Sequence, residues 1–155
     1  MYKRQIDTQD GPLQEAYPPL SVTVLLEDDV DVSRGDMLCR ANNSPTPTKE
    51  IEATICWMSD RPMRPSARYR IKHTTRTALA KVDELRYRFN VNTMHRDEKA
   101  DGLGLNEIGR VRLRLSSPLL VDEYRRNRAT GSFILIEEST NDTVGAGMIL
   151  GADED

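Results

Sequence analysis

Two cysteines, two histidines and a 5% aromatic content leave this 155-residue sequence short of most residues that carry chemistry. Cys39 and Cys56 lie far apart, with no CxxC partner and no histidine at ligand spacing, which argues against zinc and gives no disulfide framework. They read as reduced thiols. His73 and His95 have no serine or cysteine that sequence can place beside them, and a general base needs a positioned partner. His73 falls on the inward phase of a basic strand and reads as a core or barrel-rim histidine. No G-x-x-x-x-G-K-[ST] loop is present to cradle phosphates. Gly102-Leu103-Gly104 and Gly145-Ala146-Gly147 lack its spacing and its strand-to-helix setting. Gly145 and Gly147 read instead as points of close backbone approach inside a barrel. The acidic run Asp28 to Asp31 lacks the glycine and terminal glutamate of a calcium loop. No window approaches the roughly 18 consecutive apolar residues of a transmembrane helix, and the N-terminus lacks the apolar stretch of a secretory peptide. The chain reads as cytosolic (cytoplasmic), with no membrane partner and no catalytic, cofactor-binding or metal-binding residue of its own.

What is present is charge and alternation. Charged residues make up 30% of the chain and the net charge is −3. Acids dominate residues 1 to 40 and the tail after Ile136, while arginine and lysine collect in the middle, a pattern that fits a piece of a larger assembly. The opening Met1-Tyr2-Lys3-Arg4-Gln5 reads like a sequencing-adapter scar, so residues 1–5 are set aside and the natural frame is expected to enter upstream. Ser21 to Leu26 reads as a strand that returns, past a turn at Arg34-Gly35-Asp36, in a hairpin with Met37-Leu38-Cys39. Asn42 to Thr48, with two prolines, reads as a linker and a domain boundary.

Beyond it, Ile51, Ala53, Ile55 and Trp57 alternate with polar residues, as do Tyr69, Ile71 and His73, then Leu85, Tyr87, Phe89 and Val91, then Val111, Leu113 and Leu115. Residues 92 to 106 read as a connection, and Pro118 interrupts the pattern. Asp122 is placed to cap a helical turn. Phe133 to Ile136 and Thr143 to Ile149 read as a closing hairpin. Many short strands with almost no helical periodicity predict an all-β chain, an antiparallel barrel or sandwich. Arg110, Arg112 and Arg114 share one strand face, and Arg125, Arg126 and Arg128 follow. These six are the candidate partner-docking face. No aromatics interleave with them to stack bases, so nucleic acid is the weaker reading.

The closing hairpin, Gly131-Ser132-Phe133-Ile134-Leu135-Ile136 with Thr143-Val144-Gly145-Ala146-Gly147-Met148-Ile149, resembles the last hairpin of the third domain in elongation-factor-Tu-like GTPases. Longer strings are similar to the large, GTP-binding subunit (subunit 1) of bacterial sulfate adenylyltransferase. They are Val22 to Leu26 through Asp31-Val32-Ser33-Arg34-Gly35-Asp36-Met37, His73-Thr74-Thr75-Arg76-Thr77, Leu105-Asn106-Glu107-Ile108-Gly109-Arg110-Val111, and Asp122-Glu123-Tyr124-Arg125-Arg126-Asn127-Arg128. The resemblance runs from Ile6 to Ile149. It implies that residues 6–45 end a second-domain translation-protein-like barrel and that residues 48–150 form a six-stranded third-domain barrel. It also implies a heterodimer in which GTP hydrolysis drives a small ATP sulfurylase subunit to make adenosine 5′-phosphosulfate and pyrophosphate. The family's phosphate loop, magnesium-binding aspartate and guanine-reading motif precede the matching part. GTP and Mg are therefore expected in a missing N-terminal GTPase domain, itself a partner of these barrels, with no cofactor here. A tRNA- or RNA-binding barrel of a translation-type GTPase is the alternative.

Overall fold

The computed structural model describes residues 3–40 and 42–150. Its ten elements are all strands, and the chain divides into two compact units between Ser33 and Arg34.

The first unit is a three-stranded antiparallel sheet. β1 (Lys3–Thr8) lies between β2 (Gly11–Leu13) and β3 (Thr23–Leu26). Gly11, with φ of +117°, makes the tight return from β1 to β2, a conformation that glycine adopts without the Cβ clash other residues meet. Gln5, within the segment set aside on sequence grounds, pairs with Leu25 in this sheet. The expected hairpin with Met37-Leu38-Cys39 does not form, because β3 takes β1 as its partner and residues 27–40 contain no strand. Four exposed carboxylates, on Glu27, Asp28, Asp29 and Asp31, follow β3, and such residues are depleted in strands.

The second unit is a closed antiparallel barrel. Its strands are β4 (Thr46–Trp57), β5 (Arg68–His73), β6 (Arg76–Asn90), β8 (Ile108–Val121), β9 (Ser132–Ile136) and β10 (Thr143–Ile149). The order runs β5-β9-β10-β4-β8-β6, and β6 pairs back with β5 from Arg68↔Lys81 to His73↔Arg76. Closure leaves no long open edge to pair with another chain. A short extra strand, β7 (His95–Asp97), extends β6 at Arg88 to Asn90, inside the stretch read from sequence as a connection. The predicted alternation fills the interior: Ile51, Ala53, Ile55 and Trp57 from β4 and Val111, Leu113 and Leu115 from β8 are at most 4% exposed. Trp57 stands edge-on to Tyr69 with ring centroids 5.2 Å apart, and its indole N–H donates to the Arg61 carbonyl at 2.7 Å. Burial first, then Glu137, raise the Tyr69 phenol above its usual pKa. Phe133 lies across Gly147, where any Cβ would run into the ring.

Local rules fail at irregularities in the ladder. Pro47 and Pro118 both sit inside paired strands, against the reading of Asn42–Thr48 as a linker and of Pro118 as an interruption. The β4–β8 register shifts between Thr48 and Glu50, whose partners are Leu119 and Arg114, so Ser116 to Pro118 bulge out and Pro118 owes no amide to the ladder. In β6 the register shifts between Val82 and Glu84 and again between Leu85 and Tyr87. Tyr87 and Phe89 are therefore only partly buried and Val91 is exposed, although their phase in the sequence matches Leu85. After Asp122 the amides of Arg126 and Asn127 both bond the Glu123 carbonyl at 3.0 Å, but only one turn results and no helix follows.

Candidate protein-interaction face

The predicted arginine stripe exists, and its geometry depends on both neighbours of β8. Arg110, Arg112 and Arg114 point outward between Val111, Leu113 and Leu115. Antiparallel register sets Glu50 opposite Arg114 and Glu52 opposite Arg112 on β4. On β6 the two bulges turn Asp83, Glu84, Arg86 and Tyr87 toward the same side. Arg114 meets Asp83 at 2.8 Å and Glu50 at 4.0 Å, and Arg112 meets Glu84 at 3.5 Å. Glu52 Oε1 accepts from Arg86 Nε at 2.6 Å and from Arg110 Nε at 2.9 Å. Arg110 is 7% exposed. Burial pulls its pKa down, but the bond and charge of Glu52, with help from Tyr87, more than offset that and leave it raised. Arg88, bonded to Asp97 and Glu107, is likewise raised.

Glu52 thus joins three strands through two guanidinium groups, one of them buried. Glu52→Gln keeps the acceptor and removes the charge, and is expected to lower stability by about 2 kcal/mol, in the range for hydrogen bonds to charged groups. Urea unfolding should show a lower midpoint with an unchanged slope.

Arg125, Arg126 and Arg128 are exposed on the segment from Asp122 to Gly131, which folds over the barrel end as a built loop. Tyr124 N–H donates to the Ile149 carbonyl at 3.0 Å, Ile149 N–H to Gly131 at 2.8 Å, and Asp122 N–H to Thr130 at 3.2 Å. The Thr130 hydroxyl donates to Asp122 Oδ2 at 2.7 Å, so that carboxylate ties the loop's two ends together. His73, 1% exposed, reaches the Thr130 carbonyl with Nε2 at 2.7 Å. A carbonyl only accepts, so Nε2 carries the proton. Arg126 donates to Asn43 Oδ1 at 3.0 Å, and Arg128 lies 5.9 Å from the centre of the Tyr124 ring.

The loop lies between two concavities. Asp122 and Glu123 share one with Glu52, Arg86 and Arg112. Tyr124, Arg128 and Ala129 border the other, a groove of about 690 Å³ along the outer faces of β4, β10 and β9. Cys56, Ile134, Ala146 and Met148 line it, with Lys72 at the β5 side. The sequence shows the β9–β10 hairpin but not that it lies between β5 and β4. Among the described residues no helix is long and apolar enough to cross a membrane, and no cluster of side chains could hold a metal ion.

Residues 50–150, the barrel from β4 onward, match the family model for GTP-eEF1A C-terminal domain-like domains. The chain belongs to this family. Within the GTP-eEF1A C-terminal domain-like family its relatives point one way. The bifunctional enzyme CysN/CysC of Mycobacterium tuberculosis is 56% identical over 94% of this chain, and that of Rhodopirellula baltica is 51% identical over 95%. Sulfate adenylyltransferase subunit 1 of Alteromonas mediterranea is 42% identical over 95%. These alignments span only 24%, 23% and 31% of the respective relatives. In fold the chain is similar to Sup35, solved with GDP, at a TM-score of 0.83 and 17% identity, covering 98% of this chain and 38% of that one. The all-β, elongation-factor-Tu-like barrel and the kinship with sulfate adenylyltransferase subunits expected from the sequence are both present.

Proposed function

We propose that this chain is the non-catalytic C-terminal barrel region of the GTPase subunit of a sulfate adenylyltransferase. In that reading residues 6–45 end a second-domain barrel and residues 48–150 are the third-domain barrel. GTP and magnesium bind in an N-terminal GTPase domain outside this sequence, and the holoenzyme, in the cytoplasm, converts ATP and sulfate to adenosine 5′-phosphosulfate and pyrophosphate. The observation that carries the reading is identity of 40% and more to named sulfate adenylyltransferase subunits over nearly the whole chain. The barrels' part is to dock on the GTPase domain and on a small ATP sulfurylase subunit and to pass nucleotide state between them. Such relay requires different contacts in the two nucleotide states, since equal affinity for both shifts nothing. The alternative, an RNA-binding module, has less support, because Arg110, Arg112 and Arg114 spend their charge on carboxylates rather than leaving it for phosphates.

The direct test is sulfate-dependent pyrophosphate release by the small subunit with GTP, with and without a full-length subunit carrying this sequence. Release that needs both the subunit and GTP is expected. No release from a folded, GTP-hydrolysing subunit would sink the reading. The docking face, centred on the exposed arginines, is tested by Arg112→Glu with Arg126→Glu, which should weaken capture of the small subunit at least tenfold.

A further inference from the structure

The barrel's outer surface is electrically two-sided. Over β4, β8 and β6, arginines and carboxylates neutralise one another across the strands. Around the groove over β4, β10 and β9 no such balance exists. Its lining holds two cations, Lys72 and Arg128, and no aspartate or glutamate, in a chain whose acids outnumber its bases by 25 to 22. Between the cations the floor is apolar: Ile134, Ala146 and Met148, the last 41% exposed, with the Cys56 thiol beside them. The nearest carboxylates of the β9–β10 hairpin, Glu137 and Asp142, line a separate concavity with Asp60 and Arg61. The groove's volume lies within the roughly 300–1,000 Å³ of built binding sites, but it is open to solvent and suits a polypeptide laid along it better than an enclosed small molecule.

We propose that this groove receives an extended segment of a partner polypeptide that places an apolar side chain over Ile134 and Met148 and carboxylates against Lys72 and Arg128. Charge complementarity selects the occupant. Two cations flanking an apolar floor leave a basic or purely polar segment with nothing to pair, while an acidic segment with one apolar anchor satisfies both elements. Single-stranded nucleic acid fits less well, because it needs an uncovered stacking platform and the Tyr124 ring has the Arg128 guanidinium over it. The inference deepens the docking role and, for the identity of the partner, rests on the subunit reading above. The Asp122–Gly131 loop connects this groove to the arginine face, so one partner can engage both.

Cys56 supplies an internal reporter, because it lines the groove, whereas Cys39 is exposed elsewhere. A full-length subunit carrying this sequence is mixed with the small ATP sulfurylase subunit, complex formation is read by sedimentation, and alkylation of each cysteine is followed by mass spectrometry. In the complex, Cys56 should react at least tenfold more slowly while Cys39 is unchanged. Equal reactivity of Cys56 in a complex that has formed overturns the groove. If no complex forms, the subunit reading falls, and the groove is judged by a second probe, a displayed library of random dodecapeptides panned on the purified chain. Acidic peptides with an apolar anchor should enrich on the wild type and be lost on Lys72→Glu with Arg128→Glu, two exposed positions whose replacement should leave the melting curve unchanged. No enrichment, or enrichment indifferent to the charge reversal, overturns it, as does tighter binding of polyuridylate than of any enriched peptide.

Discussion

Trp57→Ala is expected to lower the unfolding free energy of the barrel by about 3–5 kcal/mol, the range for truncating a large buried aromatic. Trp57 ends β4 at 1% exposure, with the Tyr69 ring at 5.2 Å and Gly145 on the paired strand. A Cβ on that glycine would come within 3.2 Å of the indole, so the site is filled from the β10 side as well. Removing the indole opens a void bounded by two strands of a closed sheet, and a closed sheet cannot collapse inward without breaking its own ladder. The lost bond to the Arg61 carbonyl is a lesser part, since Arg61 is exposed and water can replace the donor. Because Trp57 is the only tryptophan, unfolding should be followed by far-ultraviolet circular dichroism. Trp57→Phe keeps most of the volume and should lose less than half as much. A loss below about 1 kcal/mol for the alanine variant would show that this end of the barrel is not closed around the ring.

The barrel was legible wherever strands run without interruption. The period-2 pattern of β4, β5 and β8 places Ile55, Ile71 and Leu113 in the core, and all three are fully buried. Prediction failed where an extra residue enters one strand. The two bulges of β6 carry Asp83 with Glu84, and Arg86 with Tyr87, to the same side, and the alternation within β6 alone does not show where its register against β8 shifts. Met63 and Leu103, each 0% exposed, were hidden for another reason: they lie in irregular segments and meet through a single bridge between residues 40 apart.

The candidate face was half legible. The arginine positions follow from strand phase, but their neutralisation does not, because Glu52 reaches Arg110 only through a register joining residues 58 apart. The same limit hid the groove, whose β5 and β4 borders are brought together by two strands from the last quarter of the chain. The physical consequence is a reversal of emphasis. Arg110, part of the most conspicuous charge pattern in the sequence, is buried against Glu52 and ties strands together, while Arg128, from the same set of six, and Lys72, which the sequence did not single out, flank the surface left uncompensated.

Gly131→Ala should be the most damaging single methyl in the chain's closing loop, costing about 3 kcal/mol, the upper range for overpacking. A Cβ at this position would lie 2.5 Å from the Tyr124 amide nitrogen and 2.7 Å from the Asn127 carbonyl oxygen, so it meets backbone that has no rotamer to escape into. Relief requires moving the segment from Asp122 to Gly131. That segment is held by Tyr124 to Ile149, by Ile149 to Gly131 and by the buried His73 to Thr130. Moving it strands His73 Nε2–H in the core without its acceptor, and an unmade buried hydrogen bond costs about 1–3 kcal/mol. Gly104→Ala is the control, because its Cβ would meet only the Glu107 carboxylate, at 3.5 Å, and it should change stability by less than about 0.5 kcal/mol. Thermal melts of the two variants separate the steric argument from any general loss of glycine flexibility. Since Tyr124 and Arg128 move with the loop, the Gly131→Ala variant should also lose partner binding at temperatures where the barrel itself remains folded, whereas retained binding with an unchanged melting temperature would show that the loop is free to shift and does not define the groove's edge.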